Sequence, residues 1–311
     1  MEPLLLLLLV PLLFIGDLFG SDDEDEHKTI NGTEGDDTLE GDAEDETINA
    51  LEGADDVRGH GGEDTVFGGS GEDTLAGDNG DDDLHGQGDD DLLFGGAGED
   101  KLVGDAGDDV LAGEEDNDLL FGGEGDDLVQ GGEGNDTIWM GEGDDILANP
   151  FDHEDPTSSL GDDQVDGGGG DDDLTDFAGK DTLTGGLGHD RLDAVDDPGT
   201  EGSDLLSGGW GNDTVIGDDG DVMTGGDSRD VFTVYLDEAD DQAVTITDYD
   251  ADREVLNLQL ESEIFAGATR DDLSFDTDPE TGDVTLYLMA QKVAVLTAPA
   301  GTFTLDRVAF L

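Results

Sequence analysis

The chain has 311 residues, 86 acidic and only 10 basic, for a formal net charge of −76. That surplus excludes electrostatic binding of nucleic acid and opposes contact with anionic membranes unless divalent cations bridge the two. No cysteine is present, which rules out a disulfide framework and thiolate metal sites.

Residues 1–20 are set apart by an apolar stretch, Leu4 to Ile15, broken by Pro11. It is shorter than a membrane span, and no Lys or Arg precedes it as in a secretory signal. It reads equally as a signal-like or tethering segment and as an apolar tail of unassigned role. It is the one part of the chain expected to touch a membrane. Residues 21–31 form an acidic linker containing the run Ser21 to Glu26.

From Gly32 a nine-residue unit begins, glycine-glycine-x-glycine-x-aspartate-x-aliphatic-x, and residues 32–233 are built from it. Thirteen units follow one another to Ala148 without insertion or deletion. Their eighth position is always aliphatic, from Leu39, Ile48 and Val57 through to Ile138 and Leu147. The sixth is Asp in every unit but one, where Glu46 stands. Composition alone would scatter Asp and Gly, but would not place an aliphatic residue at every ninth step. A disordered acidic chain is therefore not the expected final state, although the metal-free chain is expected to be expanded and mobile.

Residues 149–157 keep the length of a unit but lose its pattern, with Pro156 at the aliphatic position. A bulged or looped-out unit is expected there, because proline removes a ladder donor. The register returns at Gly161-Asp162-Asp163-Gln164-Val165, is interrupted again by five residues, 194–198, and resumes at Gly199. A shortened copy, Gly217 to Thr224, precedes the last unit, Gly225 to Thr233.

Glycines at positions one, two and four permit the positive φ of a tight turn. Positions seven to nine, rich in Thr, Leu and Val, read as a short strand whose eighth side chain points opposite to its neighbours. Two units then make one eighteen-residue coil. The expected fold is all-β: a right-handed parallel β-roll with two sheets enclosing a thin aliphatic core, closed by a C-terminal β cap over residues 234–311. Two aliphatic side chains per coil are too few to offset the ordering of eighteen backbones. Carboxylates stacked about 4.8 Å apart also repel one another. A divalent cation between successive turns removes that repulsion and makes ion binding part of the folding free energy. Asp oxygens and backbone carbonyls are hard donors that favour Ca2+. Mg2+ is disfavoured by its stricter octahedral geometry. The five histidines share no motif spacing, which argues against zinc, copper or iron.

Units such as Gly68-Gly69-Ser70-Gly71-Glu72-Asp73-Thr74-Leu75-Ala76 and Gly122 to Gln130 resemble the repeats-in-toxin (RTX) family, whose nonapeptide is a calcium-binding parallel β-helix signature. The resemblance implies a calcium-stapled roll in which sixth-position Asp residues two units apart share an ion. Carried onto this chain, the ligands it implies are Asp37, Asp55, Asp64, Asp73, Asp82, Asp91, Asp100, Asp109, Asp118, Asp127, Asp136 and Asp145. After the break they continue with Asp163, Asp172, Asp181, Asp190, Asp204, Asp213 and Asp230. Departures at Glu44, Asp89 and Asp116, which replace the fourth glycine, are expected to weaken their turns. Val244-Thr245-Ile246-Thr247-Asp248-Tyr249-Asp250 resembles the strand that follows the repeats in type I secreted, serralysin-like proteases, and Thr277 to Leu288 the hairpin after it. By that resemblance residues 234–311 both cap the roll and carry a type I secretion signal, with the type I secretion apparatus as a partner.

No H-E-x-x-H or G-x-S-x-G motif is present, and no enzymatic activity is expected. Phe67, Phe94 and Phe121 recur at the ninth position every 27 residues, one and a half coils, so they are expected to alternate between sheets and pack locally. Trp139 and Trp210 mark no site. The expected function is calcium binding by a secreted repeat protein that folds on calcium, with a structural or interaction role at or outside the cell surface. The alternatives are a non-catalytic module for cell-surface or matrix polysaccharide, and a small RTX toxin.

Overall fold

The computed structural model describes residues 28–147, 161–175, 179–195, 202–218, 220–236, 242–260, 268–297, 299, 303–305 and 308–311. The expectations for residues 1–20, most of the acidic linker, the broken unit around Pro156 and residues 196–198 lie outside the described residues.

The described strands form two sheets, one of fifteen strands and one of thirteen, and consecutive strands of the repeats fall in alternate sheets. Each repeat strand pairs in parallel with the strand one coil later, as in Val66 with Leu84 and Leu75 with Leu93. Within the regular units the offset is 18 residues, two units per coil. Past the broken unit Thr137 pairs with Gln164 and Ile146 with Asp173, offsets of 27, so the roll steps over one unit without losing register. At the second interruption Thr182 pairs with Leu205, and after the shortened copy Leu205 pairs with Val222. Insertions and deletions are absorbed between strands, because only the matched faces of the sheets must stay aligned.

The strands are longer than positions seven to nine alone. Thr65–Ser70, Thr74–Asn79 and Asp83–Gly88 each run on through the first three positions of the next unit. Pairing passes over the first-position glycine, as at Gly68, and resumes at Gly69 and Ser70. Three residues, positions four to six, are left for the turn.

Eighth-position side chains from Ile48 to Leu147 are buried and face one another across the roll. Leu39 and Ile30, at the N-terminal end, are only partly covered. Outward-facing ninth positions stack along one sheet: Phe67 lies on His85 at 5.1 Å and Phe121 on Trp139 at 4.8 Å. Phe94 sits in the other sheet, as its 27-residue spacing requires.

After Thr233 the two sheets continue with Val244–Ile246 and Val255–Leu260. The first sheet ends in an antiparallel meander of Gln291–Leu296, Val284–Leu288 and Leu273–Thr277, and the second in Val308–Phe310. The hairpin expected over 277–288 is present, its turn held by Asp278, which accepts from the N–H groups of Glu280 and Thr281. Here the thin core becomes aromatic: Tyr249 packs edge-on against Phe232 and Phe303. No described helix is long and apolar enough to cross a membrane.

Candidate metal sites between the coils

The turns are zipped by side chains that bond to the backbone of a neighbouring coil. At the sixth position each residue's N–H donates to a carboxylate oxygen, Oδ1, of the sixth-position residue one coil later. One ladder runs Glu46, Asp64, Asp82, Asp100, Asp118, Asp136, Asp163, Asp181, Asp204, Asp221. The other runs Asp37, Asp55, Asp73, Asp91, Asp109, Asp127, Asp145, Asp172, Asp190, Asp213, Asp230. Every rung is 2.7–3.0 Å, the length of a sound charge-assisted bond. All nineteen sequence-derived aspartates therefore stand in two continuous columns, one along each edge of the roll.

The second oxygen is the informative one. In Asp55, Asp64, Asp73, Asp82, Asp91, Asp100, Asp109, Asp118, Asp127, Asp136, Asp145, Asp172, Asp190, Asp213 and Asp230, Oδ2 is buried and has no hydrogen-bond partner. A buried carboxylate oxygen with nothing opposite it is costly, and a column of them more so. Burial pushes these carboxyls up: Asp73 and Asp109 to about 6, Asp82, Asp91, Asp100 and Asp127 to about 7, and Asp118 to about 8. Neighbouring carboxylates, Asp136 and Asp100 in the case of Asp118, push in the same direction.

What surrounds Oδ2 is set by the first-position glycine. That glycine does not adopt positive φ, contrary to the reading of its role; only positions two and four do, as at Gly69 and Gly71. It is needed for space. A Cβ on Gly68 would lie 2.5 Å from Asp73 Oδ2 and 2.9 Å from the carbonyl oxygen of Gly86 in the next coil. At Gly104 the Cβ would collide with Asp109 Oδ2 and stand 2.7 Å from the carbonyl of Gly122. Each such glycine thus keeps open a small cradle where a carboxylate oxygen and a main-chain carbonyl from adjacent coils converge. Hard oxygen donors of this kind suit Ca2+. Among the described residues no three acidic or histidine side chains cluster in a metal-ligating arrangement, so a cation held in these cradles would need main-chain oxygens as well.

Two of the three fourth-position substitutions keep the glycine conformation. Asp89 and Asp116 take φ of +73° and +76°, a region that Asp tolerates better than most residues. Asp37 departs from its column: its Oδ2 accepts from the N–H and hydroxyl of Thr33.

Several residues were not singled out by the sequence. Asp221, in the shortened copy, is buried and takes its rung with Asp204. Counting backwards two residues from the buried Met223 would have found it. Glu46, the exception already visible at the sixth position, stands at the start of the same ladder, and its Oε2 accepts from the Asp42 N–H. Lys28, in register with Glu46 one coil earlier, places Nζ 2.7 Å from Asp42 and 3.4 Å from Glu46 Oε1. Among the described residues a half-exposed ammonium thus stands at the N-terminal end of that column. A third set of contacts runs along the fifth position in the opposite sense. There the side chain accepts from the N–H one coil later, as in Asp45 from Glu63, Asp108 from Asp126, Asn117 from Asn135 and His189 Nδ1 from Asn212. An acceptor is all that this position requires, which is why Asn and His serve there.

A family model described as RTX calcium-binding nonapeptide repeat (4 copies) matches residues 29–57, 40–75, 76–111, 112–147, 157–192 and 199–223. No curated protein matches the chain. Matched over more than half of its length and folded as stacked parallel coils, the chain belongs to the RTX calcium-binding nonapeptide repeat family, whose repeats bind multiple Ca2+ ions.

Proposed function

We propose that Ca2+ ions lie between successive turns, held by the sixth-position carboxylates of the two columns and by first-position carbonyls, and that the roll folds as they bind. The bare, buried Oδ2 atoms carry this reading: fifteen anionic oxygens without a partner need a counter-ion that the protein's own ten basic residues cannot supply. Affinity suits extracellular calcium, with dissociation constants on the order of 10⁻⁴–10⁻³ M. The chain then stays expanded at low calcium and folds once exported. Circular dichroism during a calcium titration, with magnesium as control, tests this. A coil-to-β transition with calcium alone is expected, and a fully folded protein in excess chelator would refute the reading.

The role that follows is structural or interactive rather than catalytic, a calcium-set rod at or outside the cell surface. Support comes from the absence of cysteine and from the continuity of the ladders, which leave the turns occupied with their own coil-to-coil contacts. Residues 234–311 serve as a cap and as type I export information. Comparing culture supernatant with cells, for chains with and without Val234 to Leu311, tests export: equal secretion of both would remove it from the proposal.

A further inference from the structure

The second column does not stop at the last repeat. Val231 is in register with Val255, so the residue stacked beyond Asp230 is Glu254. The backbone rung matches those of the repeats: Val255 N–H donates to the Asp230 carbonyl at 3.1 Å, as Thr74 does to that of Asp55 at 2.8 Å. Glu254 is 2% exposed. Its Oε2 accepts from the Asp250 N–H at 2.6 Å, while Oε1 is buried with no hydrogen-bond partner, like Oδ2 of Asp230 beside it in the column. The surroundings are acidic. Asp248 spends both oxygens on the N–H groups of Gly225 and Gly226, at 3.0 and 2.7 Å. Arg253, the nearby cation, is half exposed and pairs with Asp250 at 2.7 Å; its charge also reaches Asp230, while the Asp230 carboxylate acts against the charge of buried Glu254. A Cβ on Gly225 would collide with Asp230 Oδ2 and meet the ring of Phe232 at 2.9 Å, so this first-position glycine keeps the space beside Oδ2 open as its counterparts in the repeats do.

We infer that Asp230 and Glu254 form a terminal divalent-cation site, outside the nonapeptide pattern, that locks the C-terminal cap onto the roll. The inference rests on the calcium reading of the repeats and extends it to a glutamate of the cap. The cap strands 244–246, 255–260 and 291–296 then order only when calcium occupies this last position.

The test uses the full chain, with calcium stoichiometry by equilibrium dialysis and amide exchange followed by strand across a calcium titration. Glu254→Gln keeps an acceptor for Asp250 but removes the charge. It is expected to bind roughly one ion fewer per chain and to need at least about tenfold more calcium to protect the cap amides, while strands 83–133 respond as in the unaltered protein. Unchanged stoichiometry and unchanged cap protection would overturn the inference and leave the repeat reading standing. Loss of calcium response in strands 83–133 of the unaltered protein would overturn both. Should E254Q leave the cap unprotected at every calcium concentration, Glu254→Asp decides. Restored calcium-dependent protection supports the site, and a defect as deep as that of E254Q refutes it.

Discussion

At a sixth-position aspartate the two carboxylate oxygens have different jobs. In the fifteen with an unpartnered Oδ2, Asp118 among them, Oδ1 satisfies a backbone N–H of the preceding coil whereas Oδ2 is bare and buried, so substitutions separate the two. Asp118→Asn retains an acceptor for the Asp100 N–H and removes the charge. It is expected to weaken calcium affinity by about tenfold. Asp118→Ala also strands that N–H, costing a further ~1–3 kcal/mol in saturating calcium. Calcium titrations and thermal melts at saturating calcium check both variants; an Ala variant as stable as the Asn variant would contradict the assignment. The first-position glycine is a second residue-scale requirement. Gly104→Ala drives a methyl into Asp109 Oδ2 and toward the Gly122 carbonyl, with an expected loss of about 1–3 kcal/mol in a denaturant titration in calcium.

At the level of the turn and its column, burial makes the metal-free roll an acid-favoured structure. Carboxyls raised to about 6, 7 and 8 hold protons in the folded coils that the unfolded chain releases near pH 4. Their contribution to metal-free stability is therefore fully present below about pH 4 and is lost as the pH rises through 6 to 8. In chelator, β content is expected to be greater at pH 5 than at pH 8. In calcium the order reverses, because ions replace protons at neutral pH and are displaced by them in acid. Circular dichroism at the two pH values, with and without calcium, reads the crossover; the same pH order in both conditions would exclude competition at these oxygens. Much of this element was legible in the sequence. The sixth-position Asp and the eighth-position aliphatic are properties of a single unit, visible in one strand and turn. The fifth-position acceptors were not, since Asp45 and Glu63 meet only across coils.

Over the whole molecule the two ends of the solenoid are unlike. Each coil contacts only its neighbours, so stability is set by local interfaces and by how the ends are closed. The N-terminal end has the strand Lys28–Asn31, largely exposed, over partly buried Ile30 and Leu39, with Lys28 in place of a further carboxylate. The C-terminal end has a meander and the aromatic cluster of Phe232, Tyr249 and Phe303. Amide exchange in calcium is therefore expected to show the least protection in strands 28–31 and 38–40, rising toward the middle coils. Uniform protection from residue 28 onward would show that the Lys28 closure is as effective as the cap.

The sequence by itself determined the period, the parallel two-sheet roll, the aliphatic core and the columns of Asp, because each is dictated by residues within one nine-residue unit and by its repetition. The tertiary structure alone decided which residues complete those columns. Asp221 and Glu254 take their places only because offsets of 17 and 24 residues bring them into line once the irregular units have been absorbed, and Lys28 falls in register with Glu46 one coil before the ladder begins. It also decided that in fifteen of the buried aspartates one oxygen is bonded and the other bare. That division depends on the separation of adjacent coils, which no single unit encodes.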